Sequence, residues 1–472
     1  MRWLVAAIVA ITAAFVGAAP CAAQPPNIVY IVSDDQGWKD VGYHGSDIKT
    51  PNIDALAAGG ARLEEFYAQP FCTQTRAALM TGRYPFRYGL QTAVIASNHT
   101  YGLATDEYLL PQALKAAGYQ TAIIGKWHLG HADPKYWPRQ RGFDIQYGPL
   151  IGEIDYFTHQ QHGVLDWYRD NKPVKEPGYS TTLLGEAAVK LIDGHDPKVP
   201  LYLYLAFNAP HAPYQAPPEY LARHAGIADP TRRAYAAQIS AMDDEIGRVV
   251  AALDHKGLRD NTLIVFQSDN GGTRNPLFSG EQDMSKLTLP NDNGQYREGK
   301  ATVYEGGTRV VALANWPGHI KPDTVVNEPI HVVDMYPTLV QLAGASAAKA
   351  KPLDGLDVWS TISDGKPSPR SEVVYSIEPY RAGIRQGDWK LVWRTMLPQS
   401  VELYNIAEDP FEKSNVAAAH PDKVAALQAR ANELAAQAQK PLFLATEFKA
   451  MKQRLAVPPA LPDEDVLTSG GD

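Results

Sequence analysis

Asn27-Ile28-Val29-Tyr30-Ile31-Val32-Ser33-Asp34-Asp35-Gln36-Gly37 decides how this chain folds. The first seven residues are largely β-branched and nearly all apolar, so neither face of the segment is marked for water. That pattern suits a strand buried on both faces of a parallel sheet. Two adjacent carboxylates come directly after it. At the carboxyl edge of an open α/β sheet such groups meet ligands. Asp and Gly also favour plain turns, and both readings stand for this stretch taken alone.

The same grammar recurs along the chain. Residues 119–125 form an apolar run that delivers Lys126-Trp127-His128-Leu129-Gly130-His131, with Lys126 and His128 two apart and so on one side of an extended segment. Residues 201–207 end in Asn208-Ala209-Pro210-His211, and residues 262–268 end in Asp269-Asn270-Gly271-Gly272. Helical patterns lie between them: 50–57 with Thr50 as N-cap and Pro51 at N1, 109–117, 181–193, and 232–253, where Ile239, Met242, Ile246, Val249 and Leu253 mark one face. A further strand is expected over 308–314 and a helix from Val332 to about Gly344. Alternating strands and helices give an α/β fold: a large mixed, mostly parallel sheet sandwiched by helices.

Past residue 345 the texture changes. After a loose linker over 349–370, short strands at 373–377, 382–386, 389–393 and 402–405 predict a small antiparallel sheet. An Ala-rich helix is expected over 422–436. The domain reading is therefore a main domain over 24–348, a C-terminal subdomain over 349–445, and a flexible tail over 446–472.

Composition excludes several functions. The 472 residues carry a net charge of -8 with both signs mixed and no basic block, so nucleic acid and anionic membrane surfaces are not expected partners. Residues 1–23 read as a cleaved signal: Arg2, a short apolar core, small residues, then Gln24-Pro25-Pro26 with no stop-transfer charges. The expectation is an exported protein, periplasmic or secreted, without stable membrane insertion. Of two cysteines, removal of the signal leaves only Cys72. An exported chain with one leftover Cys flags a reactive or modified residue.

Cys72 opens a short helix that closes before Gly82, and Arg76 lies on the same face at i+4. A helix start suits an anion. The pair reads either as a nucleophile beside a bound oxyanion or as a buried structural Cys with an ordinary Arg. Residues 134–177 are irregular and rich in aromatics, a pattern that serves as binding wall or as packing between loops. Together with 275–299 they are expected to select the substrate.

In a parallel sheet the strand ends carrying Asp34-Asp35, Lys126 with His128, His211 and Asp269-Asn270 share one edge. Converging there, they give oxygen ligands ringed by cations, a metal-dependent site for processing an anion. At this point the motifs carry a resemblance. Asp34-Asp35-Gln36-Gly37, Cys72-x-x-x-Arg76 followed by Leu79-Met80-Thr81-Gly82-Arg83-Tyr84-Pro85, Gly125-Lys126-Trp127-His128-Leu129-Gly130, Ser268-Asp269-Asn270-Gly271-Gly272, residues 300–309 and Glu402-Leu403-Tyr404-Asn405 are similar to those of type I sulfatases of the alkaline phosphatase superfamily, most of all arylsulfatase B-like enzymes.

The resemblance implies an alkaline phosphatase-like fold and hydrolysis of sulfate esters. It implies that Cys72 is oxidised to formylglycine, whose hydrated gem-diol attacks sulfur. Asp34, Asp35, Asp269 and Asn270 would hold one calcium ion, with the modified residue 72 as a further ligand. Arg76 matches the arginine that steadies that residue. Lys126, His128, His211 and Lys300 match sulfate-binding and proton-transfer positions, with His128 as base and His211 or Lys300 as acid. Implied partners are a sulfated small molecule or glycan and a formylglycine-generating or equivalent maturation enzyme. Gln74 and Thr75 stand where the family's usual Cys-x-Pro-Ser-Arg has Pro and Ser. Two other readings are a phosphodiesterase or phosphonate monoester hydrolase of the same superfamily, and an unmatured, silent, glycan-binding homologue.

Overall fold

The computed structural model describes residues 24–275 and 289–456. The signal over 1–23, the tail end over 457–472 and residues 276–288 of the expected second wall lie outside them.

The strand Asn27–Ser33 does what its composition demands. Ile28, Tyr30 and Val32 enter one core and Val29 and Ile31 the other, none more than 1% exposed. Burial on both faces puts this strand inside a ten-stranded sheet. Its order is Thr324–Val326, Ala61–Leu63, Ala312–Asn315, Thr262–Ser268, Asn27–Ser33, Leu201–Ala206, Gln120–Gly125, Ile145–Gly148, Tyr168–Arg169 and Lys172–Pro173. The central block from Thr262–Ser268 to Ile145–Gly148 is parallel, and antiparallel strands flank it. The register pairs Ser33 with Ser268, Val32 with Ala206, and Ala206 with Gly125. The three strand ends beside Ser33 are therefore level, and the loops that leave them meet at one edge.

Helices cover both faces. Pro51–Ala58, Ser180–Gly194 and Pro230–His255 pack on one side, through residues such as Ile53, Leu184, Met242 and Val249. Cys72–Thr81, Leu110–Ala116 and Met335–Leu342 pack on the other, with Leu79, Leu114 and Leu339 in that core.

Three local expectations are corrected. Thr50 is the N-cap residue with Pro51 after it, but its side chain makes no capping bond; its hydroxyl donates to Asp54 Oδ1 (2.9 Å) and accepts from the Gly42 amide (2.8 Å). The strand expected over 308–314 starts only at Ala312, because Glu305–Thr308 is a helical turn. Gly306 and Gly307 press there on the Arg297 and Gly299 carbonyls, where a Cβ would collide. Finally, a helix spans Leu442–Ala456, so the segment read as tail begins as ordered backbone. Leu442 donates its amide to the Gly89 carbonyl (2.9 Å), which ties that helix to the main body.

The small C-terminal sheet is as expected: Glu372–Ile377, Arg381–Gln386, Trp389–Arg394 and Ser400–Asn405, antiparallel in sequence order. The helix Pro421–Ala435 buries Leu427, Ala431 and Leu434. A buried ion cluster ties this sheet to the main domain. Lys390, 0% exposed, lies 2.7 Å from Glu305 and 2.9 Å from Glu412. Tyr67 donates to Glu305 as well (3.0 Å). Lys390→Met strands two buried carboxylates and is expected to cost about 3–5 kcal/mol, read as a lower denaturant midpoint with an unchanged slope.

Candidate active site at the carboxyl edge

The helix Cys72–Thr81 is buried along its whole length, which is why its sequence lacks an amphipathic stripe. Phe71 is extended at its start, and Gly82 closes it in the left-handed region at φ 66°. Its polar side chains are spent on holding loops. Thr73 Oγ1 donates to the His128 carbonyl (3.2 Å) and accepts from the Ile95 amide (3.1 Å). Gln74 Nε2 donates to the Gln91 carbonyl (2.5 Å).

Arg76, 1% exposed, is fixed by three hydrogen bonds. Nε and Nη2 donate to Asp269 Oδ2 at 3.0 and 2.7 Å, and Nη1 donates to the Lys126 carbonyl at 3.2 Å. It also lies 3.8 Å from Asp34 Oδ2. The reading of Arg76 as an ordinary surface cation is excluded. Burial disfavours a guanidinium charge, but the Asp269 and Asp34 carboxylates hold Arg76 ionised.

The strand ends meet as the topology requires. Asp269 donates its amide to the Ser33 carbonyl (3.0 Å), and Lys126 donates its amide to the Ala206 carbonyl (2.8 Å). Lys126 Nζ donates to Asp34 Oδ2, and Lys300 Nζ donates to Asp35 Oδ2 (2.8 Å). His211 Nδ1 faces the Ala212 carbonyl (2.6 Å), which leaves Nε2 3.5 Å from Asp35 Oδ2 and 3.3 Å from Lys300 Nζ. Burial alone would raise Asp34, yet Lys126, His211 and Arg76 hold it below the usual carboxylate range. Burial and the neighbouring Asp34 push Asp269 up to about 6. Burial pushes the Cys72 thiol up to about 12, so at neutral pH the unmodified residue is not a thiolate.

Asp34, Asp35, Cys72 and His211 place one ligand atom each within 4.8 Å of one another. Asp34 Oδ1 and Asn270 Oδ1 are buried without a hydrogen-bond partner, while Asn270 Nδ2 donates to Asp35 Oδ1 (2.8 Å). Two orphaned oxygens beside carboxylates fit a hard cation such as calcium. Asp269 carries a hydrogen bond on each oxygen: Arg76 donates to its Oδ2, and its Oδ1 accepts from the Asp35 amide (3.2 Å), which leaves each oxygen a further lone pair for a cation.

His128 reaches the site by another route than expected. Its φ of 58° puts it in the left-handed region, so the segment after Gly125 turns rather than runs extended. Nε2 faces the Ile95 carbonyl (3.2 Å), and Nδ1 is buried with no partner. Burial, then Lys126 and Arg76, keep the imidazole neutral. Gly152 makes room for it: a Cβ there would come within 2.6 Å of His128 Cε1.

A cavity opens over Cys72, His128, His211 and Lys300, and its outer lining includes Val94, Ser97, Gly152, Glu153, Gln161 and His162. These outer residues were not singled out from the sequence. They sit in loops and a two-residue hairpin, where no periodicity marks a face. Three aromatics of the same insertion are packing: Tyr147, Tyr156 and Trp167 are buried in the core of their side of the sheet, whereas Phe157 is 43% exposed.

Comparison with known proteins agrees with this geometry. The family model described as Sulfatase matches residues 26–345, and one described as N-sulphoglucosamine sulphohydrolase, C-terminal, matches residues 295–440. Arylsulfatase J of Mus musculus is 38% identical over 389 residues, 80% of this chain, and the chain spans 63% of that relative. N-acetylgalactosamine-6-sulfatase of Mus musculus is 33% identical over 379 residues, covering 75% of this chain and 69% of the relative. The crystal structure of Ps i-CgsB in complex with k-i-k-neocarrahexaose superposes with a TM-score of 0.82 at 34% identity, covering 92% of this chain and 98% of that one. The Sulfatase match contains every strand end that meets at Cys72, and the chain belongs to the sulfatase family, as a sulfuric ester hydrolase of the type I, arylsulfatase-like branch of the alkaline phosphatase superfamily.

Proposed function

We propose that the enzyme hydrolyses a sulfate ester of a sugar at Cys72, matured to formylglycine, with one calcium ion. The observation that carries this reading is the clustering of Asp34, Asp35, Cys72 and His211 around orphaned oxygens at the helix start. Asp34, Asp35, Asp269 and Asn270 would hold the calcium, which would neutralise sulfate oxygens. Hydrated formylglycine at position 72 would supply the attacking oxygen.

The chain's own residues do the rest. Lys126 and Lys300, each on a carboxylate of the cluster, offset the charge of the sulfate and of the transition state. Arg76 fixes Asp269 and the Lys126 backbone, so the cations do not reorganise during reaction. The His211–Lys300 pair holds the proton for the departing alcohol oxygen. His128, neutral with a free Nδ1 in the same cavity, is the base that accepts a proton from residue 72. A sulfated glycan as substrate is supported by the sugar-sulfatase relatives and by the carrageenan-type oligosaccharide in the Ps i-CgsB structure. Among the described residues one such metal-ligating group occurs, which favours this reading over a two-metal phosphoesterase. Export of the chain remains part of the proposal; no described helix is long and apolar enough to cross a membrane.

The test is turnover of 4-nitrophenyl sulfate against a 4-nitrophenyl phosphodiester by protein co-expressed with a formylglycine-generating enzyme. Faster hydrolysis of the phosphodiester contradicts the reading. Calcium removal is a second check. At a hundred times its dissociation constant, calcium stabilises by about 2.7 kcal/mol. Chelation is expected to lower the melting midpoint and activity together, with calcium restoring both, and Asp35→Asn to shrink the shift.

Gln74 bears on maturation. Its amide precedes the helix's first i→i−4 bond, Thr75 to Phe71 (3.0 Å). Proline there breaks no helix bond and loses only the contact to Gln91, about 1 kcal/mol. Gln74→Pro is expected to fold and to raise the converted fraction of Cys72, measured by peptide mass.

A further inference from the structure

The cavity over Cys72 has a volume of about 290 Å³. At about 30 Å³ per water that is room for roughly ten waters, the space of one sulfated sugar ring. Its two ends differ in charge. The inner end carries Lys300 beside the Asp34–Asp35 cluster. At the outer end, among the described lining residues, the one formal charge is the carboxylate of Glu153, and no Lys or Arg lies there.

Glu153 faces the cavity with no hydrogen bond or ion pair among the described residues. Gln161 Oε1 is buried and unpartnered beside it. His162 closes the wall with its backbone in the left-handed region at φ 50°. Val94 and Ile95 line the same cavity and offer it an apolar surface. The wall is held in advance. Asp155 Oδ1 accepts from the amides of Phe157 (3.0 Å) and Thr158 (2.7 Å), and its Oδ2 accepts from Gln215 Nε2 (2.7 Å). Asp166 Oδ2 accepts from the amides of Leu150 (3.0 Å) and Ile151 (2.8 Å). Acceptor oxygens on Glu153 and Gln161, in a cavity that also has an apolar lining, suit a ring whose hydroxyls donate and whose C–H face packs.

We propose that Glu153, Gln161 and His162 form the subsite for the leaving sugar and select a neutral, hydroxyl-bearing ring over one with a carboxylate or second sulfate beside the scissile ester. This rests on the sulfatase reading above. A second anion would sit against the Glu153 carboxylate with no Lys or Arg among the described outer lining residues to offset it, a like-charge juxtaposition that specificity sites use to reject the wrong partner.

The test is calorimetric binding to the full-length Cys72→Ala protein, where no turnover intervenes. The probes are the four methyl galactopyranoside monosulfates, each against a counterpart bearing a second sulfate. The tightest monosulfate is expected to bind at least about tenfold more tightly than its disulfated counterpart, a gap of about 1.4 kcal/mol. Glu153→Gln in the same background is expected to close that gap, and Gln161→Leu to weaken the monosulfate several-fold. Equal affinities, a gap that Glu153→Gln leaves in place, or no binding by any monosulfate overturns the proposal. Turnover of 4-nitrophenyl sulfate by the matured wild-type enzyme reports the sulfatase reading by itself, so failure of one is distinguishable from failure of the other.

Discussion

Cys72→Ala is expected to abolish sulfate-ester turnover while the fold survives. The side chain is 1% exposed. Losing its sulfur removes little more than one buried methylene's worth of packing, about 1 kcal/mol. A structural cysteine would therefore show a small shift in melting midpoint and near-normal activity. A nucleophile precursor shows the same small shift with kcat down on the order of 10⁶-fold. The two readings of Cys72 predict the same stability and opposite kinetics. Measuring kcat on 4-nitrophenyl sulfate beside a thermal melt separates them in one preparation.

Arg76→Met is expected to cost both stability and activity. Removing the guanidinium leaves Asp269 buried with the Asp35 amide as its remaining contact and takes a hydrogen bond from the Lys126 carbonyl. Breaking a buried pair from one side costs about 3–5 kcal/mol. Loss of a preorganised charge at the reacting centre lowers kcat by about 10²–10³-fold. Arg76→Lys restores the charge but not the fork that grips one carboxylate oxygen twice, so it is expected to recover stability more than rate. The contrast is Arg223–Asp244, 2.7 Å apart but half-exposed on the arginine side, where a break is expected to fall within about 1 kcal/mol. Urea melts and kcat for the three variants test this ordering.

Much of this site could be read from the chain because the sheet places it there. A run such as Asn27–Ser33, apolar on both faces, has few homes other than a central parallel strand, and parallel strands send their ends to one edge. The positions of Asp34, Lys126, His211 and Asp269 come from that rule. Lys300 and Arg76 came from the resemblance and from helical spacing. What stayed hidden depends on tertiary contact. His128 turns through a left-handed residue that only the surrounding backbone requires. The turn at Glu305–Thr308 is imposed by glycines pressed on neighbouring carbonyls, although Thr308–Ala314 reads as a strand by composition. Gly152, Glu153 and His162 lie in loops and Gln161 in a two-residue strand, near backbone held by Asp155 and Asp166, and nothing in their spacing marks a face. The helix Leu442–Ala456 was masked by its nearness to a Pro- and Asp-rich end.

Every catalytic role proposed above depends on residue 72 being made into formylglycine and used. Tryptic cleavage yields the peptide Leu63–Arg76, which contains it. Mass spectrometry of this peptide from active protein is expected to show the thiol replaced by an aldehyde, with turnover of 4-nitrophenyl sulfate rising in proportion to the converted fraction across preparations. Full turnover from protein in which every such peptide carries an unmodified Cys72 would contradict the account.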